Sequence, residues 1–317
     1  MNYSPNESID RKFAVLNLQH KRTSTGDPYL SVELSSTEGI IQGRVWSESL
    51  TNISLTSQSI YQIKGHIDMF QGQPTLNIKS SQHLPDESIE SYLKSTPTMV
   101  FDIETLGQDF QLLDHSDQEY FLTRLEQNFQ GDEQHLHTRT GLYPMYGSVL
   151  TIGFMDYTQK TGQVLYVSSD HTQYQINNFK SVSFATEAEM LKAFWELCGQ
   201  FDRFVTFNGS GFDFPFLAYR SAVNRIVVPF ETNGQGEKFV DLSHKFRMNS
   251  RSFKLEVICK SLGITNPKQD GVSGMEVANL YKQGRMEEIV KYVSRDVTAT
   301  SELYEIWSKY LAGKLII

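Results

Sequence analysis

Three short pieces of this sequence carry side chains able to hold a divalent cation. The first is Phe101-Asp102-Ile103-Glu104-Thr105. In a strand, alternate side chains share a face, so Asp102 and Glu104 lie on one face and Phe101 and Ile103 on the other. Two neighbouring carboxylates repel, and desolvation raises the cost further. A divalent cation removes both problems, although the same D-x-E also describes a solvated acidic pair. The second piece is Asn208-Gly209-Ser210-Gly211-Phe212-Asp213. Its glycines let the backbone approach a ligand, and Asp213 arrives at a helix start, where an ordinary N-cap is the alternative. The third is Tyr292-Val293-Ser294-Arg295-Asp296. Four apart on a helix, Tyr292 and Asp296 share a face beside Ile289, Val290, Val293 and Val297, as a surface Tyr–Asp pair also would. Oxygen-only ligands suit Mg²⁺ or Mn²⁺, and nothing here offers the soft ligands that zinc or copper prefers.

The elements that must position these pieces alternate strand and helix from residue 98 onward. TMVFDIET reads as a strand, GSVLTIGFMDY with QVLYVSS as a hairpin, and RFVTFN as a further strand. Thr186 opens a capping box with Glu189, beginning a helix with the apolar face Leu191, Phe194, Cys198, Phe201. Pro215 sits in the first turn of a helix through LAYRSAV, and SFKLEVICKSLG and GRMEEIVKYVSRDVTATSELYEIW are helices. This predicts an α/β domain with a mixed central sheet over 98–317. Residues 85–97, with Pro85 and Pro97 at the ends, read as a linker holding a short helix. Before them, residues 1–84 show five short alternating strands with Gly at the bends, a small all-β barrel. The order of its turns, with the G-x-x-x-x-R-V-W and YQIKG strands, resembles an OB-fold.

In this order, D-x-E, N-x-x-x-F-D and Y-x-x-x-D resemble the motifs of the DEDD 3′–5′ exonucleases of the DnaQ-like, ribonuclease H-like superfamily. The resemblance covers about residues 98–310. FDIET and FNGSGFDFPFL are similar to the proofreading domain of family B DNA polymerases, and more so to the stand-alone bacterial exonucleases related to it. KQDGVSGMEV and GRMEEIVKYVSRDV, expected in that group, are both present. Lys291 and Tyr292 point to the branch with a tyrosine four residues before the last Asp. The resemblance implies two Mg²⁺ or Mn²⁺ ions held by Asp102, Glu104, Asp213 and Asp296, activating a water and stabilising the departing 3′ oxygen. Tyr292 would position that water, since a free tyrosine has a pKa of about 10. By the same resemblance Thr105 and Leu106 meet the terminal nucleotide, with Leu106 as a wedge, and Asn208 and Phe212 line the groove. Phe212 fits the core equally well. Arg247, Arg251, Lys254 and Lys268 are candidate phosphate contacts.

Composition narrows the classes. A chain of 317 residues accommodates two domains, and 39% apolar with 21% charged residues supports a packed core. No apolar run approaches the roughly 18 residues of a membrane span, and the polar start lacks a leader segment, so a soluble, cytoplasmic protein is expected. Cys198 and Cys259 read as buried free thiols. The net charge of −8 excludes only a uniformly basic coat, because residues 220–268 hold nine bases against four acids. Residues 107–146 form a long acidic insertion, suited to shielding the site from duplex or to meeting a partner. The barrel, with seven bases and seven acids in residues 1–83, is neutral. It would stack single strands on Tyr29, Trp46 and Phe70 with Arg44 and Lys64, or form an oligomer interface. An alternating strand more often buries such a Trp in the core. Single-stranded DNA is the leading substrate, RNA the alternative, and a non-catalytic nucleic-acid-binding scaffold the third reading. No polymerase motifs accompany these segments, so proofreading would act in trans.

Overall fold

Alternation of apolar residues in the N-terminal segment builds a closed barrel. The computed structural model describes residues 3–70, 72–87, 89–92, 96–127, 136–232, 238–268 and 274–312. Chain contacts divide it into two units, Met1–Ser95 with Trp307–Ile317, and Thr96–Ile306. In the first, β1 (Ser8–Arg22), β2 (Pro28–Ser36), β3 (Gly39–Trp46), β4 (Ser59–Phe70) and β5 (Gln73–His83) close in the order β1-β2-β3-β5-β4. Phe13, Val32, Leu34, Val45, Ile63, Ile67, Leu76 and Ile78 fill the interior. The neighbouring positions along each strand face outward, as period two demands. Trp46 is on the outer face, beside Tyr29, and does not join that core. A 3-10 turn at Ile89–Tyr92 falls in the expected linker, of which positions 88 and 93–95 lie outside the described residues.

The second unit opens with β6 (Thr98–Gly107), followed by the acidic excursion containing α1 (His115–Tyr120) and α2 (Leu136–Thr140). Leu113, Phe121, Leu136 and Tyr146 give the excursion its own small core. Thr140 Oγ1 donates to the Gln108 carbonyl and Gln108 N to the Tyr146 carbonyl, so the chain returns to where it left the sheet. Asp132 and Glu133 of this acidic run lie outside the described residues. There follow β7 (Gly147–Asp156), β8 (Thr161–Val167), β9 (Gln175–Ile176), β10 (Phe179–Phe184), α3 (Glu187–Cys198), β11 (Arg203–Thr206) and α4 (Asp213–Val223). Then come β12 (Phe239–Asp241), α5 (Leu242–Lys245), α6 (Leu255–Leu262), α7 (Gly274–Lys282) and α8 (Met286–Ile306).

The seven strands form one mixed sheet in the order β12-β11-β6-β7-β8-β10-β9. β11 runs parallel to β12 and β6, and β7 antiparallel to β6 and β8. The expected hairpin is β7–β8, and the Thr186–Glu189 capping box opens α3. The short strands β9, β10 and β12 and the helix α7 were not expected from the sequence pattern. Each is brief, or runs into residues whose composition carries no period. One face of the sheet packs Phe101, Ile103 and Phe154 against Leu191, Phe194 and Trp195 of α3 and Phe214 and Leu217 of α4. Cys198 and Cys259 are buried and unpaired with each other, and burial raises both thiols. Among the described residues, no helix is long and apolar enough to cross a membrane.

The other face receives α8, and one glycine sets how closely. A Cβ at Gly153 on β7 would stand 2.8 Å from Val293 Cγ2 and 3.3 Å from Val297 Cγ2 of α8. No real side chain tolerates the first distance, so a larger residue must push α8 off the sheet. Gly153→Val is expected to cost about 1–3 kcal/mol of stability and to lower the thermal midpoint. A midpoint equal to the parent's would show that α8 does not rest on this strand.

Candidate active site

Period two on β6 sends Phe101 and Ile103 into the α3–α4 core, leaving Asp102 and Glu104 for the face that α8 covers. Gly153 is the register partner of Asp102 and Thr151 that of Glu104. Residues paired across an antiparallel ladder share a face, so the contact of Gly153 with α8 fixes the side to which the carboxylates point. Immediately beyond, the ladder slips: Glu104 pairs with Thr151 but Thr105 with Val149, skipping Leu150. Such a bulge turns the end of a strand, and here it falls between the second carboxylate and the residues expected to meet a substrate.

On α8 the spacing of four puts Tyr292 and Asp296 on the sheet-facing side with Val293 and Val297. Asp102, Glu104 and Asp296 each offer a carboxylate oxygen, and these lie within 4.8 Å of one another. Glu104 and Asp296 are buried and Asp102 partly so. The Tyr292 hydroxyl lies close enough to the Asp296 carboxylate to act on it electrostatically. Asp296 Oδ1 and, beside Glu104, Thr151 Oγ1 are buried without a hydrogen-bond partner among the described residues.

Asp213 comes from the opposite side of β6. β11 pairs with β6 only as far as Val100. Past that point the edge of β6 is open, and Asp213 Oδ1 accepts from Ile103 N at 3.1 Å. Asp213 is therefore the first residue of α4 and not its cap, and it binds strand backbone midway between Asp102 and Glu104. The loop that delivers it is held by Asp241 at the end of β12. Asp241 accepts from Asn208 N at 2.8 Å, Ser210 N at 3.0 Å, the Ser210 hydroxyl, Ser243 N at 3.0 Å and Ser243 Oγ at 2.8 Å. Burial raises its pKa, but these hydrogen bonds prevail and keep it below the ordinary value. Asn208 takes φ +67°, and a Cβ at Gly209 would stand 2.4 Å from Thr206 Oγ1, so the tight turn needs glycine there. Asp241 was missed in the sequence. Its only signal was an Asp two residues before a Ser at a helix start.

Burial dominates the electrostatics. It lifts Asp102 well above the carboxylate range, with Asp213, Asp296 and Glu104 adding repulsion and Lys268 opposing. Glu104 is raised by burial, then by Asp296 and Asp213, again against Lys268. Asp213 is pushed up to about 7 and Asp296 to about 6, both chiefly by burial. Burial and the surrounding carboxylates raise Tyr292 far beyond any neutral-pH ionisation. A Cβ on Gly274, the first residue of α7, would lie 3.7 Å from Glu104 Oε2, so a helix N-terminus abuts the cluster. Converging oxygen ligands, an orphaned Asp296 oxygen and mutual repulsion fit one or more hard divalent cations.

Of the expected phosphate contacts, Lys268 faces the cluster, acting on Asp102, Glu104 and Asp296 while paired with Glu256 at 3.2 Å. Arg247, Arg251 and Lys254 are exposed on the segment leading into α6, with Arg247 donating to the Ser250 carbonyl. Thr105 and Leu106 are partly buried at the strand end. Thr105 Oγ1 donates to the Gly141 carbonyl at 2.6 Å, which leaves its oxygen only as an acceptor. Asn208 stands on the Asp241-bound loop. Phe212 packs against the edge of the main core and against Phe216 at 5.5 Å between ring centroids. In the KQDGVSGMEV stretch, positions 269–273 lie outside the described residues.

The RNase_H superfamily family description matches residues 139–308. That span takes in Asp213, Tyr292 and Asp296 and begins after Asp102 and Glu104. Among solved structures, a family B DNA polymerase from the hyperthermophilic archaeon Pyrobaculum calidifontis is similar at 11% identity and a TM-score of 0.45. The match covers 94% of this chain and 46% of that one, so this chain spans less than half the polymerase's length.

Two outcomes follow from the geometry. Asp213 and Asp296 rise from an ordinary value of 3.8 to about 7 and about 6. The cation-free folded state then keeps protons that the unfolded chain has released, so stability falls as pH rises from about 4 to about 7. Thermal melts in EDTA across that range are expected to show the fall. Saturating Mg²⁺ flattens it, and a flat profile in EDTA would contradict the raising of these carboxylates by burial. Separately, Asp241→Ala strands three backbone donors and is expected to cost about 2–4 kcal/mol, with Asp241→Asn costing less. Urea unfolding measures both, and equal midpoints for Ala and parent would remove Asp241 from its role.

Proposed function

Because this chain belongs to the RNase H superfamily, we propose that it is a metal-dependent 3′–5′ exonuclease. It releases nucleoside 5′-monophosphates from the 3′ end of single-stranded DNA or a 3′ overhang. The observation that carries this reading is the convergence of Asp102, Glu104 and Asp296 within 4.8 Å, in a place too desolvated to hold the charges without a counter-ion. Two Mg²⁺ or Mn²⁺ ions, held by these residues and Asp213, would supply the Lewis acidity that polarises the phosphodiester and eases loss of the 3′ oxygen.

The chain's own groups supply position and proton control. Tyr292 keeps its proton at neutral pH, so it orients the attacking water as a donor, and it is no general base. Asp213, anchored on Ile103 N, stands at the open edge of β6 where a strand end has access. Lys268 is the cation best placed for the scissile phosphate. Leu106 wedges beneath the terminal base, while Thr105, Asn208 and Phe212 border the same groove. The motif resemblance supports these assignments and the 3′–5′ direction.

Paired digestion tests the reading. Single-stranded DNA and RNA of one sequence, labelled at either end, are incubated with Mg²⁺, Mn²⁺ or EDTA. Mononucleotides leaving the 3′ end of DNA are expected, abolished by EDTA and slowed about 10³-fold or more by Asp296→Asn. Faster loss of RNA would move the substrate to RNA with the same residues. Internal fragments would overturn the exonuclease, and no cleavage with any cation would make the chain a binding protein.

A further inference from the structure

Strand β7 carries one polar side chain in the middle of its buried run. From Val149 to Met155 every residue is apolar except Thr151 and the side-chain-free Gly153. Thr151 is 0% exposed, and its hydroxyl has no hydrogen-bond partner among the described residues. A central strand, paired on both sides with β6 and β8, favours a β-branched side chain at such a point, and Val has the same outline without the hydroxyl. Burying a hydroxyl with no partner costs stability. The fold therefore holds at Thr151 a polar group that it does not itself use.

Register says where this hydroxyl stands. Thr151 is opposite Glu104 on β6 and opposite Tyr166 on β8, and residues so paired share a face. It is the face that α8 covers, since Gly153, two positions along, meets Val293 and Val297. On the β8 side the Tyr166 hydroxyl is spent on the Thr172 carbonyl. On the β6 side lies the carboxylate cluster, where Asp296 Oδ1 is likewise buried without a partner. In the larger unit, Thr151 Oγ1 and Asp296 Oδ1 are the only two buried side-chain oxygens in that condition among the described residues. Both border one group of cation ligands.

A hard cation accounts for the pair. Mg²⁺ gives up its hydration water reluctantly and keeps several waters beside its carboxylate ligands. A water whose oxygen faces the cation has both hydrogens left to donate, so it needs acceptors at the rim of the site. We infer that Thr151 belongs to the cation site as a positioning residue: its hydroxyl, beside Glu104, accepts from a water of the cation's hydration shell. Asp102, Glu104 and Asp296 supply the charge, and Thr151 fixes the shell that they leave in place. Outer partners of this kind orient what the direct ligands hold and add to affinity. The inference rests on the cation-binding part of the proposed function, and is independent of the substrate or direction of cleavage.

Thermal melts of the full chain at one pH, in EDTA and across a Mg²⁺ series, test this with Thr151→Val and Thr151→Ser. In EDTA the Val variant is expected to melt about 2–4 °C above the parent, because an unpartnered hydroxyl has gone. In the Mg²⁺ series it is expected to need about tenfold more cation for the same rise. Thr151→Ser keeps the hydroxyl, and with it the parent's Mg²⁺ dependence. A residue that only packs the strand would move the EDTA midpoint and leave the Mg²⁺ dependence alone. The proposal is overturned if the Val variant melts below the parent in EDTA or shows the parent's Mg²⁺ dependence. It is also overturned if Ser binds Mg²⁺ as weakly as Val. Should Mg²⁺ fail to raise the parent's midpoint, the cation site falls and Thr151 with it. A rise that Val weakens, in a protein that digests no strand, keeps Thr151 and removes the exonuclease alone.

Discussion

Mutual repulsion among buried carboxylates is the constraint around which the larger unit is built. Asp102, Glu104 and Asp296 converge within 4.8 Å, and Asp213 acts on Asp102 from the edge of β6. Left to itself, such a cluster would splay apart or take up protons. The surrounding elements prevent the first. β6 is held by β7 along its whole length, α8 is brought down by Gly153, and α4 is tied to β6 through Ile103 N. The second is the energetic opening for a divalent cation, because a charge of +2 replaces protons at the same oxygens. Stability is thus traded for affinity.

The loop through Asn208 shows the same trade one layer out. A turn with φ +67° and a glycine pressed on Thr206 is not a conformation that the chain adopts unaided. Asp241 enforces it with donors from both sides, and its carboxylate stays ionised because those donors outweigh the cost of burial. One carboxylate next to the cluster is therefore made comfortable while those in the cluster are not. Five accepted hydrogen bonds on Asp241, set against the repulsion among the clustered carboxylates, make the difference, since burial is shared by both.

What could be read from the sequence was local. Period two on FDIET and spacing four on YVSRD each assign a face without knowledge of the fold, and Thr186–Glu189 announces a helix start over three residues. What could not be read depends on partners far along the chain. The bond from Ile103 to Asp213 spans 110 residues, and only the motif resemblance linked those pieces. Asp241 lies on a three-residue strand with no period to detect. Lys268 and Arg251 are alike as residue types, and only tertiary placement turns one toward the carboxylates and leaves the other in solvent.

The barrel gives the sharper case. Tyr29, Arg44, Trp46 and Phe70 were legible as candidates from their residue types and the OB-fold resemblance, but the same reasoning admitted Lys64 and left Trp46 open. Register decides both. It sets Lys64 opposite Asp10 and Trp46 opposite Tyr29, and register is fixed by long-range closure and by the slip between Lys64 and Gly65. A neutral net charge, taken alone, argues for little interaction with phosphate. Yet net charge sums over cations already bound to carboxylates, and a ligand meets only those that remain.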